Sequence, residues 1–304
     1  MRDRISLDRA RVFSEVGQNA VGQSGEIRIA TGALELTNGA DISSSTWNKG
    51  NAGNVVIQAR DSVVIKGGIA PDGEILYSSV LNRVQQGAVG QSGEIRIDAR
   101  SLELTGAARI SAGTSGTGDA GNIILNVSDR FSSNGTGSSN GAGIFSQVFP
   151  RAKGQGGEIR IATDTLKLTN ASQVSSATFG TGNAGNVEIN ARNSVVIQSG
   201  GFLADGRIAL SGIFSTVEEK AVGRGGKISI DTGTLQLTGG SRITSITYSD
   251  GNAGNVGIKA RDSVIIQDGI FLDTSLSSWG GIFSRVEKGA SGQGGELRFN
   301  PKFT

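Results

Sequence analysis

Apolar residues in this chain fall on alternate positions in short runs, and the runs return in a fixed order. In Glu26-Ile-Arg-Ile29 the two isoleucines face one way while Glu26 and Arg28 face the other, the mark of a half-buried strand. Ala33-Leu-Glu-Leu-Thr37 continues the alternation through Leu34 and Leu36, and Asp41-Ile-Ser-Ser gives a third, weaker strand. Gly53-Asn-Val-Val-Ile57 then restarts the cycle. Ser62-Val-Val-Ile65 matches the Leu-Glu-Leu strand, and the Ile-Phe-Ser runs at Ile144, Ile213 and Ile282 match the third. No helical periodicity of useful length interrupts this order.

The cycle is itself repeated. Gly-Glu-Ile-Arg-Ile begins at Gly25, Gly93 and Gly157 and returns in altered form at Gly226 and Gly295, which gives periods of 68, 64, 69 and 69 residues. Asn51-Ala-Gly-Asn, Asp119-Ala-Gly-Asn, Asn183-Ala-Gly-Asn and Asn252-Ala-Gly-Asn keep the same phase. From one anchor glycine to the next, the first turn of a unit takes 28 residues (Gly25 to Gly53) and the second 40 (Gly53 to Gly93). Each unit therefore reads as two turns of three strands, the second lengthened by a variable insert. The expected organisation is one continuous solenoid: 1–24 the end of a preceding repeat, then repeats at 25–92, 93–156, 157–225 and 226–294, with 295–304 opening a truncated one. Beginning and ending partway through a unit, the chain reads as a segment of a longer protein. Such repetition predicts an all-β parallel β-helix, with each strand paired to its copies above and below at about 4.8 Å. Neither end shows a polar cap, so end-to-end self-association is expected.

At the first outward position successive turns read Glu26, Asn54, Glu94, Asn122, Glu158, Asn186, Lys227, Asn255 and Glu296. Asparagine separates the charges every time, holding like charges about 10 Å apart, near one Debye length. Side-chain hydrogen bonds between asparagine and its charged neighbours are expected along this column. Arg28, Arg96, Arg160 and Arg298 each follow an acid by two positions and predict a solvated, mixed-charge face.

Composition sharpens this picture in three places. The 48 glycines among 304 residues do not read as disorder, because only 3 prolines accompany them and the apolar residues are tightly phased. A net charge of +2 gives no electrostatic reason to expect nucleic acid. Cysteine and histidine are both absent, which removes disulfides, thiolate chemistry and the usual proton shuttle near neutral pH. No cofactor or metal site is expected. Gly116-Thr-Gly118-Asp-Ala-Gly121 and Gly180-Thr-Gly182-Asn-Ala-Gly185 match the dinucleotide-binding pattern, but a strand follows each where that fingerprint needs a helix. Asp61, Asp129, Asn193 and Asp262 recur in the corner Ala-Arg-Asp-Ser or its variants, and each is expected to cap its own turn.

The phrases Gly-Gly-Glu-Ile-Arg-Ile (Gly156–Ile161), Leu-Glu-Leu-Thr-Asn-Gly-Ala (Leu34–Ala40), Gly-Asn-Ala-Gly-Asn-Val (Gly182–Val187) and Ser-Gly-Ile-Phe-Ser (Ser211–Ser215) together resemble a known family. It is the repeat region of filamentous-haemagglutinin-like exoproteins of the two-partner secretion pathway, in the version frequent in cyanobacteria. The resemblance runs from about Arg11 to Phe299. It implies a right-handed β-helix, export through a partner outer-membrane transporter, and display or release at the cell surface as an adhesin-like fibre. The chain departs from the family pattern in showing no secretion domain and no signal peptide. The expected function is a non-enzymatic structural and adhesive segment. A carbohydrate-active β-helix enzyme and the stalk of a contact-dependent toxin are the alternatives.

Aromatic residues are the candidate contacts. Trp47, Phe179 and Tyr248 each stand six residues before an anchor glycine, with Ser115 in the equivalent place before Gly121, at one corner of every second turn, where they either cover the edge of the core or form a ladder for stacking sugars. The inserts Gly67–Ser78, Ser132–Gly143, Ser199–Ser211 and Gln267–Gly280 vary in sequence, and three of them carry Tyr77, Phe202, Phe271 and Trp279. Variable loops on a rigid scaffold are where binding specificity usually resides. Surface glycans or other cells are the expected partners.

Overall fold

A computed structural model of the chain describes residues 3–135, 141–199, 210–267 and 280–300. Among these, every regular element is a strand. Two long parallel sheets run the length of the molecule, one of ten strands and one of nine. The first is built from Ile27–Thr37, Val55–Lys66, Ile95–Thr105, Ile123–Asn134 and their successors, and the second from six-residue strands such as Asp41–Thr46, Ser79–Val84 and Arg109–Thr114. Each turn of the coil contributes one strand to each sheet, always in sequence order. The chain is thus a parallel β-solenoid with two turns per repeat.

Register confirms the phase of the repeats. Ile27 pairs with Val55, Val55 with Ile95 and Ile95 with Ile123, so the anchor strands place their aliphatic residues in one file. Val55, Ile95 and Ile123 are wholly buried, and Leu34, Val63, Leu102 and Phe131 form a parallel file beside them.

The three-strand expectation is refined. The first two predicted strands of each turn run into one another as a single long strand, because ladder pairing resumes immediately after the corner. At that corner three steps of one strand (Ala59 to Ser62) face two of its neighbour (Thr31 to Ala33), a one-residue bulge that bends the strand without ending it. The third side of each turn is reduced to a single parallel bridge, stacked as Val21, Lys49, Val89, Thr117, Lys153, Thr181 and Val222.

The same bulge overturns the expected role of the corner acids. Asp61, Asp129 and Asp262 occupy the extra-residue position, and Asp129 turns outward to face Arg100 at 3.9 Å. Capping is done instead on the intervening turns, where the hydroxyls of Thr31, Thr163 and Thr232 donate to the carbonyls of Ala33, Thr165 and Thr234 at 3.2 Å.

Asparagine also works differently from expectation. Asn54, Asn122, Asn186 and Asn255 do not share side-chain bonds with the charged residues. Their Oδ1 atoms accept the backbone N–H of Glu94, Glu158, Lys227 and Glu296 one turn on, at 2.8–2.9 Å. A second column continues through alternating Asn/Asp and Gln: Asn51 accepts from Gln91, Gln91 from Asp119, Asp119 from Gln155 and Gln155 from Asn183. Arg28 and Arg160 do pair with the acid two positions before them, whereas Arg96 turns to Asp98.

Turns come closest at the anchor glycines. A Cβ on Gly53, Gly93, Gly157 or Gly185 would collide with the carbonyl of the glycine one turn below. Inside this contact runs a buried polar column. The Ser176 hydroxyl accepts the Gly185 N–H at 2.8 Å and donates to the Gly157 carbonyl at 3.3 Å, so one side chain ties two turns together. Ser146, Ser215 and Ser245 repeat the staple, and the Asn82 amide replaces it in its own turn.

Two residues further along, Val84, Val148 and Val217 alternate with Thr46, Thr114 and Thr178, all fully buried. Those three threonine hydroxyls have no hydrogen-bond partner. The two columns predict opposite outcomes. Ser176→Ala leaves the Gly185 N–H and the Gly157 carbonyl unsatisfied and should cost about 1–3 kcal/mol in urea unfolding. Thr178→Val removes an unsatisfied hydroxyl at constant shape and should gain about 1 kcal/mol.

Candidate functional site

Side chains alternate across a strand, so with Ile213 and Ser215 turned into the core, Phe214 and Thr216 must face outward. The same holds in every turn of the short sheet. Its outer face collects Phe13, Phe145, Phe149, Phe179, Phe214, Phe283, Trp47 and Tyr248, more than half of the 11 Phe, 2 Trp and 2 Tyr in the chain. The hollow on the outer face of the long sheet is about 420 Å³ and is lined by residues such as Glu188, Lys227, Asp231, Lys259 and Arg298, without an aromatic ring. The two faces therefore differ in kind.

Small residues make room for the rings. A Cβ on Gly212 would strike the Phe214 ring, and one on Gly281 would lie 2.8 Å from Phe283 Cζ. Each phenylalanine is thus laid back over the glycine two residues before it. Gly113 does the same for Phe149.

An open groove of about 630 Å³ crosses this face, lined by Phe179, Phe214, Tyr248 and Phe283 together with Glu218, Arg242 and Arg285. Phe179 and Tyr248 are brought together as the sequence suggested. Trp47 is not: it lies four turns from Phe179, about 19 Å at the usual strand spacing, and its Nε1–H donates to Glu15 at 3.0 Å. Tyr77 comes from the first insert, which folds as a hairpin pairing Gly68–Ile69 with Ile75–Leu76, and its ring packs on Arg109 at 4.4 Å. Phe202, Phe271 and Trp279 lie outside the described residues. Phe145, Phe214 and Phe283 were missed by the sequence reading. Their signal was present in Ile-Phe-Ser: once the isoleucine is assigned to the core, the phenylalanine beside it is assigned to the outer face, where Phe214 and Phe283 are half-buried and Phe145 is covered.

Charge in the groove is sparsely solvated. Burial pushes the Glu218 carboxyl above its ordinary value, an effect opposed by the Thr216 hydroxyl donating to it at 2.9 Å. Burial also raises the Tyr248 phenol, helped by the nearby carboxylates of Glu218 and Glu287, and holds the Arg242 guanidinium below its usual range. Arg285 pairs with Glu287. Among the described residues no cluster of acids is arranged to hold a metal ion.

Glu218 supplies a pH test. A carboxyl whose folded pKa lies above its unfolded value is neutral in both states at low pH and costs nothing there. Stability is lost as pH rises from the unfolded value of 4.5 through the higher folded one. Glu218→Gln should therefore leave the urea midpoint unchanged at about pH 3.5 and raise it at about pH 7. The gain is under ~1 kcal/mol because the group is partly solvated. Equal gains at both pH values would show that charge is not the cause. No protein-family model, curated protein or solved structure matches this chain, so the groove's chemistry carries the functional argument.

Proposed function

We propose that the chain is a non-enzymatic structural and adhesive segment of an exported exoprotein, a stiff spacer that attaches to glycans through the outer face of its short sheet. One observation carries this reading: aromatic rings gathered along one groove of the short sheet's outer face, with Phe214 and Phe283 seated against the glycines two residues before them. Pyranose rings stack on such faces through their C–H groups, and guanidiniums and carboxylates at the margins supply directional hydrogen bonds. A rigid, regularly stepped scaffold suits repeated contact with a polymer better than enclosure of a small molecule. The resemblance to two-partner exoprotein repeats supports placing the work at a cell surface, with a partner transporter for the full-length protein.

A second reading is favoured by Glu218. A half-buried carboxyl with a raised pKa, beside Tyr248 and Arg242 in an aromatic groove, is the setting of a general acid acting on a polysaccharide.

Phe214→Ala/Phe283→Ala should weaken binding to a glycan array or to whole cells by tenfold or more while the fold is retained. Unchanged binding would end the adhesive reading. New reducing or unsaturated chain ends, released from a polysaccharide and abolished by Glu218→Gln, would replace it with the enzymatic one.

A further inference from the structure

Four and five turns below Arg242, about 19–24 Å along the axis, the same outer face carries two arginines with an unusual environment. Arg83 and Arg109 stand on neighbouring strands, with Gly113 opposite Arg83 and Ser79 opposite Arg109. Both are half-buried. Arg83 lies over the Phe149 ring at 4.9 Å, and Arg109 sits between Tyr77 at 4.4 Å and Phe145 at 5.5 Å. Neither guanidinium has an ion pair with any described carboxylate. The Nε of Arg109 is buried without a hydrogen-bond partner.

The nearest acid is already engaged. Asp41 accepts the Ser79 hydroxyl at 2.8 Å and faces Arg11 at 3.6 Å. Burial holds both Arg83 and Arg109 below the usual guanidinium range, and Arg109 lowers Arg83 further by like-charge repulsion. Two partly desolvated cations without an ion pair, of which Arg83 alone is helped by the charge of Asp41, are expensive, and ring faces offset only part of that cost. An oxyanion would offset the rest, because a guanidinium presents a planar fork matched to carboxylate or sulfate.

We infer that Arg83 and Arg109, backed by Tyr77, Phe145 and Phe149, form a binding site for the anionic groups of an acidic polysaccharide, taking its carboxylate or sulfate on their guanidinium forks. This rests on the attachment reading for the polymer and adds its charge class. Two arginines beside uncharged rings, in a chain of net charge +2, suit a sparsely charged glycan better than the dense phosphate row of nucleic acid.

The test is equilibrium binding at low ionic strength to sodium polygalacturonate and to its fully methyl-esterified form. The acid should bind at least tenfold more tightly than the ester. Arg83→Gln/Arg109→Gln should lose at least tenfold of that affinity. Arg109→Lys, which keeps the charge but loses the fork, should lose several-fold, and Arg160→Gln on the other face should lose none. The site is overturned if acid and ester bind alike. It is overturned equally if the double variant, or Arg109→Lys should the double variant not fold, binds like the parent. Duplex DNA bound as tightly through the same two arginines would overturn the polysaccharide assignment. If the arginine variants fail the prediction while Phe214→Ala/Phe283→Ala still weakens neutral-glycan binding, only the anion site falls; if both sets leave binding intact, the attachment reading falls with it.

Discussion

Every feature of this molecule depends on each turn resting directly on the one below, backbone to backbone, at the anchor glycines. There a methyl group cannot be accommodated, because the carbonyl of the lower glycine occupies its place. Close approach brings polar backbone groups into a dry interior, where an unpaired N–H or C=O is costly. The buried serine column resolves that conflict by accepting from one turn and donating to the other. Outside, asparagine and glutamine side chains do the same for the amides at the opposite edge of the corner. Glycine abundance and the Asn-Ala-Gly-Asn phrase are two parts of one solution.

Once the turns are locked in phase, the outer faces become regular arrays. A residue type repeated in the sequence becomes a column in space, spaced by one or two turns. The short sheet uses this to collect aromatic rings on its outer face, Phe214 and Phe283 seated against glycines and Phe145 and Phe149 beneath arginines. The long sheet uses it to alternate charge with asparagine. The proposed attachment thereby belongs to a face of the stack and not to one pocket, and the groove, which reaches down to Gln147, and the arginine pair on the strands just below it lie on that single surface.

The interior was legible in the sequence because period-two alternation and a long repeat both constrain it. Once Ile27, Val55, Ile95 and Ile123 share a phase, a continuous file is the economical arrangement. The bulge was not legible. Apolar alternation looks the same on both sides of Arg60-Asp61, and only pairing register reveals that one residue is extra. The corner acids were consequently given a capping role that Thr31, Thr163 and Thr232 perform. The contact surface was half legible. Phe179, Tyr248 and Tyr77 were singled out and do stand at the groove or beside Arg109. Trp47 was grouped with them by spacing, yet lies far along the axis, because equal sequence spacing in a solenoid means translation. Phe145, Phe214 and Phe283 are set on the outer face by the same alternation that buries the isoleucine before each of them.

Amide hydrogen exchange at the anchor glycines tests the central claim most directly. Gly53, Gly93, Gly157, Gly185, Gly226, Gly254 and Gly295 each donate to an inward-facing serine or asparagine, whereas the equivalent position facing Gly121 is Ala112. The stapled amides away from the chain ends should exchange slowly and Gly121 markedly faster, with Ala112→Ser bringing Gly121 into line. Uniform protection across all of them, or no change at Gly121 in the variant, would contradict the account.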